Sequence, residues 1–249
     1  MTGMPFRLNL LAVIAFLGVS VPAIAQGKPV AWQPGYVGSC GGCNLAGRNM
    51  SGWTLSGANY PGANLEFAFM RGIQAASANF EGANASGVDL RTAVLTSARF
   101  SDAILSNARL MGVQATGAEF RKTILRGANM QGALMVGANF SDADLGETQL
   151  DEADLSGANL TGVKFDKAVM KATILNGANM TGVMMTGADV AGASFRDVRF
   201  IAADLSGMTH HDLANFTGAC SSIDTLMPPG LLLPLCGDLV VVQHIIAEN

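Results

Sequence analysis

SDADLGETQLDEADLSGANL, residues 141–160, carries leucine at every fifth position. Neither regular period explains that spacing, because a helix returns to one face every 3.6 residues and a strand every two. The pattern extends far beyond this stretch. With Leu45 as the first centre, the frame runs without a slip to Leu205, giving 33 consecutive pentapeptides. Nearly all centres are Leu, Met or Phe; Tyr60, Ala75, Ala85, Ala115 and Val190 are the others. Two residues before the centre, 21 of the 33 positions are Ala, and two residues after it 19 are Gly. So strict an order of small residues marks stacked tandem repeats rather than a mixed globular core.

The residue just before the centre is most often Asn or Asp, as in Ala128-Asn129-Met130 and Ala153-Asp154-Leu155. Ala-(Asn/Asp)-(Leu/Phe)-x-x in tandem resembles the pentapeptide-repeat family, and the likeness spans residues 43–207. The resemblance implies an all-β fold, a right-handed quadrilateral β-helix in which four pentapeptides make one 20-residue coil, here about eight coils. It also implies that the centre and the residue two before it point inward, while the other three face outward or form the corner.

A 20-residue coil has consequences that can be read independently. Positions 20 apart stack at about one strand spacing, ~4.8 Å. Tyr60, Phe80, Phe100, Phe120 and Phe140 then form one column, continued by Leu160, Met180 and Phe200. Another column alternates large and small through Leu55, Ala75, Leu95, Ala115 and Met135. Charges follow the same register: Asp89–Arg109, Arg99–Glu119, Asp102–Lys122, Lys122–Asp142, Asp144–Lys164, Glu147–Lys167 and Asp151–Lys171 are opposite in sign and 20 apart. Each is expected to pair with its counterpart one coil away.

The first 25 residues read as an address. Arg7 precedes an apolar run from Leu8 to Val21, which closes with Pro22 and Ala23-Ile24-Ala25. That is the order of a secretory signal peptide, with cleavage expected between Ala25 and Gln26. The run falls short of the ~20 residues a span needs, so export to the periplasm or the medium is the expectation, with no stable membrane span after signal removal. Removal would take away only Arg7, shifting the net charge from −4 to −5 and the length from 249 to 224 residues. Mild acidity opposes a nucleic-acid-binding role, which calls for a basic stripe.

A solenoid exposes unpaired edges at both ends and needs caps. Residues 26–42, with Trp32 and Tyr36, are expected to cover the N-terminal end, where Cys43, Arg48 and Trp53 stand in place of inward Ala. The frame fails at His210, restarts one residue late at Ala214-Asn215-Phe216 and is expected to stop there, leaving 208–249 as a C-terminal cap segment. Pro228 and Pro229 argue against a helix, and Leu239–Val242 with Ile245–Ile246 read as a β-branched strand. A homodimer seam through this apolar tail is the alternative expectation. Four Cys in an exported chain imply two disulfides. About eight coils separate the ends by ~40 Å, whereas bridged Cα atoms lie within ~7 Å. Cys40–Cys43 and Cys220–Cys236 are the pairings that fit a monomer.

No set of residues converges on catalysis, a cofactor or a metal. The CGGC of Cys40–Cys43 has thiol-oxidoreductase spacing, but no helical pattern follows it to activate a thiolate. His210 and His211 are adjacent, so their side chains diverge; with Asp212 and His244 they read as cap residues. Asp142, Asp144, Glu147, Asp151, Glu152 and Asp154 spread over several sides of one coil and cannot meet one calcium ion. Outward apolar residues (Ile104, Ile124, Val94, Leu134, Ile174) divide between two opposite sides and form no large patch. The expected function is an exported, non-enzymatic scaffold or protein-binding surface with an unknown protein partner. Some members of the resembled family are acidic dimers that mimic DNA and bind DNA gyrase. Export and interleaved Lys and Arg make that the alternative, and thiol redox chemistry is a second one.

Overall fold

Each pentapeptide forms one short extended segment and one corner. The computed structural model describes residues 38–237, so the signal, Trp32, Tyr36, His244 and the tail strand expected over 239–246 lie outside the described residues. The residue before each centre forms a parallel bridge with the residue 20 places on, from Ser39 with Asn59 to Asp189 with Thr209. Four such segments, joined by four two-residue turns, complete each period. The chain therefore winds as a β-helix in which every segment stacks on its own counterpart.

The backbone explains the motif. In Ala78-Asn79-Phe80-Glu81-Gly82, the Ala78 N–H donates across the turn to the Ala75 carbonyl at 3.1 Å. Asn79 donates to Ala58 in the preceding coil, while Phe80 and Gly82 donate to Arg99 and Ser101 in the following one. Only the Glu81 N–H has no backbone acceptor, and Asn79 Oδ1 accepts it at 3.0 Å. The same side-chain acceptor recurs at Asn64, Asp89, Asn139, Asp154 and Asp204. Asn or Asp before the centre thus closes the last open donor of the pentapeptide, as an Asx-turn does.

At every corner from residue 42 to residue 202 the second turn residue has a positive φ. A type II turn requires this, and glycine adopts it without a Cβ clash, as at Gly57, where φ is 69°.

Inside, every centre from Leu45 to Leu205 is buried. Tyr60, Phe80, Phe100, Phe120 and Phe140 stack with centroids 4.8–5.9 Å apart and planes within 8–19°. Ala two before the centre leaves room for these rings. Where Thr replaces it, the buried hydroxyl donates to a main-chain carbonyl: Thr123 to Phe100, Thr148 to Leu145 and Thr173 to Leu150, at 2.7–2.8 Å. No buried hydroxyl donor is left unpaired at these three sites, which keeps the substitution mild.

The ends depart from expectation. Cys43 is buried and Trp53 half-buried against the core, but Arg48 is exposed rather than inward. An interior site would leave this cation's charge desolvated, and the side chain lies at the surface instead. The ladder already includes Ser39 and Cys40. At the other end, His210 takes φ 53° and a 3-10 turn spans His211–Leu213. The register then shifts by one, so Ser194 bridges Asn215 and Phe216 stacks on Phe195 at 5.0 Å. The ladder does not stop at Phe216. Strand β1 (Arg199–Phe200) pairs in parallel with β2 (Cys220–Ser221), Leu226 bridges Asp204, and Leu235 bridges Ser221. Loss of the five-residue frame had hidden these segments, because irregular turns of different length join them.

Candidate binding surface

The cysteines sit at opposite ends of the ladder. Disulfides join Cys40 to Cys43 and Cys220 to Cys236, with Cα separations of 5.5 and 4.9 Å. Cys40 and Cys43 are both buried and lead into the bridge at Asn44 rather than into a helix. The second bridge ties β2 to the returning chain, where Ser221 N–H donates to Pro234 and Cys236 N–H to Ser221, both at 2.9 Å.

His210 and His211 diverge to separate partners. His210 Nδ1 lies 2.8 Å from Asp189 Oδ1, and His211 Nε2 lies 3.1 Å from the Pro229 carbonyl oxygen. Burial pushes the Asp189 carboxyl up, but hydrogen bonds from His210 and the Ala191 N–H, with the charges of His210 and Lys171, hold it below its usual range. The first contact ties the 3-10 turn to the coil beneath, and the second ties it to the C-terminal segment. Among the described residues no group of three or more His, Cys, Asp or Glu is placed to hold a metal ion.

The charge register differs from the sequence expectation. Of the seven pairs 20 apart, only Asp89–Arg109 forms an ion pair, at 3.7 Å. Arg99 pairs with Glu81, Arg126 with Asp144, and Lys171 with Asp189, all 18 apart, while Arg126 also reaches Glu147 at 2.7 Å. A residue before a centre lies directly over its counterpart, whose neighbour two places on shares the same outward face. Long side chains reach that diagonal neighbour readily. Asp151 instead accepts the main-chain N–H of Lys171 at 3.3 Å.

The outward apolar residues are arranged in columns. Ile104 bridges Ile124 directly, both about two-fifths exposed, whereas Gln114 and Asp154 separate Val94, Leu134 and Ile174. Two phenylalanines are far more exposed, and the sequence reading passed over both. Phe67 is 63% exposed and Phe69 52% exposed. Each breaks the repeat: Phe67 occupies a left-handed corner at φ 53°, and Phe69 stands where Asn or Asp is usual. Those exceptions were visible in the lattice as aromatic residues at outward positions. Phe69 bridges Asp89, which bridges Arg109. Arg71 and Arg91 are successive members of the adjacent column. Arg91 donates to both carboxylate oxygens of Asp89, at 2.8 and 2.6 Å. Against the cost of burial, that contact and the charge of Arg109 hold the Asp89 carboxyl below its usual range.

Eight copies of the profile for Pentapeptide repeats match the chain in overlapping stretches from residue 76 to residue 208. The chain belongs to the pentapeptide-repeat family. No curated protein matches it in sequence. Among solved structures, this pentapeptide-repeat protein is similar to HetL, a pentapeptide repeat protein involved in heterocyst differentiation regulation in the cyanobacterium Nostoc sp. strain PCC 7120. The identity is 24% and the TM-score 0.69, over 79% of this chain and 92% of HetL. A pentapeptide repeat protein from the Arabidopsis thaliana thylakoid lumen is 32% identical over 43% of this chain and 67% of its own, with TM-score 0.34. QnrB1, a plasmid-mediated fluoroquinolone resistance protein, is 18% identical over 66% and 89%, with TM-score 0.30. The HetL likeness supports the β-helical fold.

Proposed function

We propose that the mature chain is an exported, non-enzymatic pentapeptide-repeat scaffold whose outer faces bind another protein. The observation that carries this reading is the division of roles within the pentapeptide. Two side chains fill the tube, and the backbone bonds coil to coil. The remaining side chains stand outward in columns one strand spacing apart. Such a face is long, regular and rigid, which suits a protein partner; a small molecule asks for an enclosing, mostly apolar cleft. In this reading the coil is right-handed and quadrilateral, with about eight turns, and it works in the periplasm or outside the cell. Disulfides at both ends suit an oxidising compartment.

The test is expression of the full chain in a bacterium with an export pathway, followed by fractionation and intact mass with and without reductant. The expected product is periplasmic, begins at Gln26 and gains about 2 Da on reduction for each disulfide. A cytosolic, full-length, reduced product would remove the exported reading. Turnover of a broad substrate panel by the purified protein would remove the non-enzymatic one.

A further inference from the structure

The exposed phenylalanines are unfavourable where they stand. Among the corner residues from 42 to 202, every non-glycine other than Phe67 is Ala or polar. A bulky residue at positive φ is a strained outlier, and strain of this kind gathers at functional sites. Phe67 gains little packing in return. Its ring lies over Gly87, where an added Cβ would fall 2.5 Å from two ring carbons, and its other face is open. Phe69, the one aromatic residue before any centre, also forgoes the side-chain acceptor that Asn or Asp would supply to the Arg71 N–H. Two neighbouring positions therefore give up what the fold favours in order to present aromatic surface.

The surroundings are cationic although the chain is net acidic, at −4. Arg71 and Arg91 stand beside Phe69 and Arg109 two coils on, with Asp89 between, held by Arg91 at 2.6 Å and Arg109 at 3.7 Å, while Glu66 precedes Phe67 in the chain. Arg71 has no acidic partner among the described residues and is exposed. Aromatic and arginine side chains dominate the energetic centres of protein interfaces.

We infer that Phe67 and Phe69, with Arg71, Arg91 and Arg109, form a docking surface for a short acidic segment of a partner protein that carries its own apolar anchor. Its carboxylates meet the guanidinium groups and its anchor covers the two rings. A long polyanion such as nucleic acid fits poorly, because two coils beyond Met111 the same column presents Asp151, followed by Glu152. This assignment rests on the protein-binding reading above and adds the face and the partner's chemistry.

The experiment places p-benzoylphenylalanine at Phe69 and, separately, at Leu134 and Asn159 on other faces of the full chain. The variants are irradiated in producing cells, and cross-linked peptides are sequenced by mass spectrometry. The expected result is an adduct from the Phe69 site alone, on a segment of another protein in which Asp and Glu outnumber Lys and Arg. It should fall about tenfold with Arg71→Glu or Phe67→Gly, as for loss of one interface anchor. Phe67→Gly should at the same time leave the melting temperature unchanged or raised, which a merely structural phenylalanine would not do. Adducts from Leu134 or Asn159 but not Phe69 overturn this surface and leave the scaffold reading standing. An adduct to a basic or uncharged segment, or to a second copy of the chain, overturns the partner's chemistry. Absence of adducts at all three sites overturns both readings.

Discussion

Replacing Asn159 by Ala tests whether the residue before the centre stabilises the fold through the corner. Asn159 Oδ1 accepts the Thr161 N–H at 3.2 Å and the Thr161 hydroxyl at 2.7 Å, and its Nδ2 donates to Asn139 Oδ1 at 3.2 Å. The Asn159→Ala variant would lose all three. A net hydrogen bond contributes about 0.5–1.5 kcal/mol, and the half-buried Thr161 hydroxyl can turn to water. The backbone N–H is harder to compensate, so the expected loss is about 1–2 kcal/mol. For a chain of this size that corresponds to roughly 2–8 °C in melting temperature.

The Asn159→Asp variant separates the parts. It keeps the acceptor for Thr161 and loses only the rung to Asn139, so its expected loss is under about 1 kcal/mol. Amide hydrogen exchange gives the local readout. Leu160 N–H donates to Asn179, and it should stay protected in both variants. Thr161 N–H should exchange faster in the Ala variant and near the parent rate in the Asp variant. Equal protection of Thr161 in all three proteins would refute the corner argument, whatever the melting temperatures.

Leu145 is a centre with no exposed surface. Leu145→Asp loses its burial and desolvates an unpaired carboxylate, so a loss above about 4 kcal/mol is expected, and an unchanged thermal melt would sink the inward assignment. Thr92, β-branched, sits at φ 56°. Thr92→Gly relieves about 1–2 kcal/mol of left-handed strain and gives back about 0.5–1 in chain entropy, so calorimetry should show a small rise in stability rather than a fall. Asp89 has its carboxyl pKa lowered in the folded state. Its contribution is therefore complete above the unfolded value near 3.9 and is lost as pH falls through the lower folded value. Asp89→Asn should melt below the parent at neutral pH, with the gap closing only below about pH 4; a gap that is constant down to pH 2 would contradict the ion-pair account.

The period, the interior columns and the aromatic stack were legible because inward positions repeat without interruption from Leu45 to Leu205. Even the one-residue slip at His210 could be read, and Phe216 restores the stack on Phe195 at the shifted register. Apart from Asp89–Arg109, ion pairing was not legible, because sequence spacing gives the directly stacked neighbour while Arg and Lys reach the diagonal one. The reason for Asn and Asp was also hidden. Their frequency was plain, but the donor they satisfy becomes visible only when every N–H of the pentapeptide has been traced. Beyond Phe216, segments at Cys220, Leu226 and Leu235 join the ladder at unequal intervals, and no period announces them.

A regular solenoid separates folding from function unusually cleanly. Once the centre, the small residue behind it, the Asx acceptor and the left-handed corner are assigned, most positions have a structural reason. Information about partners must then reside in residues that depart from those reasons without compensation from packing. Thr123, Thr148 and Thr173 depart from Ala, but buried hydrogen bonds offset the change. Arg126 leaves no anomaly either, since Asp144 and Glu147 both engage it. Phe67 and Phe69 depart twice within three residues, and neither burial nor a hydrogen bond compensates. Departures of that second kind, on the face that also gathers Arg71, Arg91 and Arg109, are what carries the proposed docking surface.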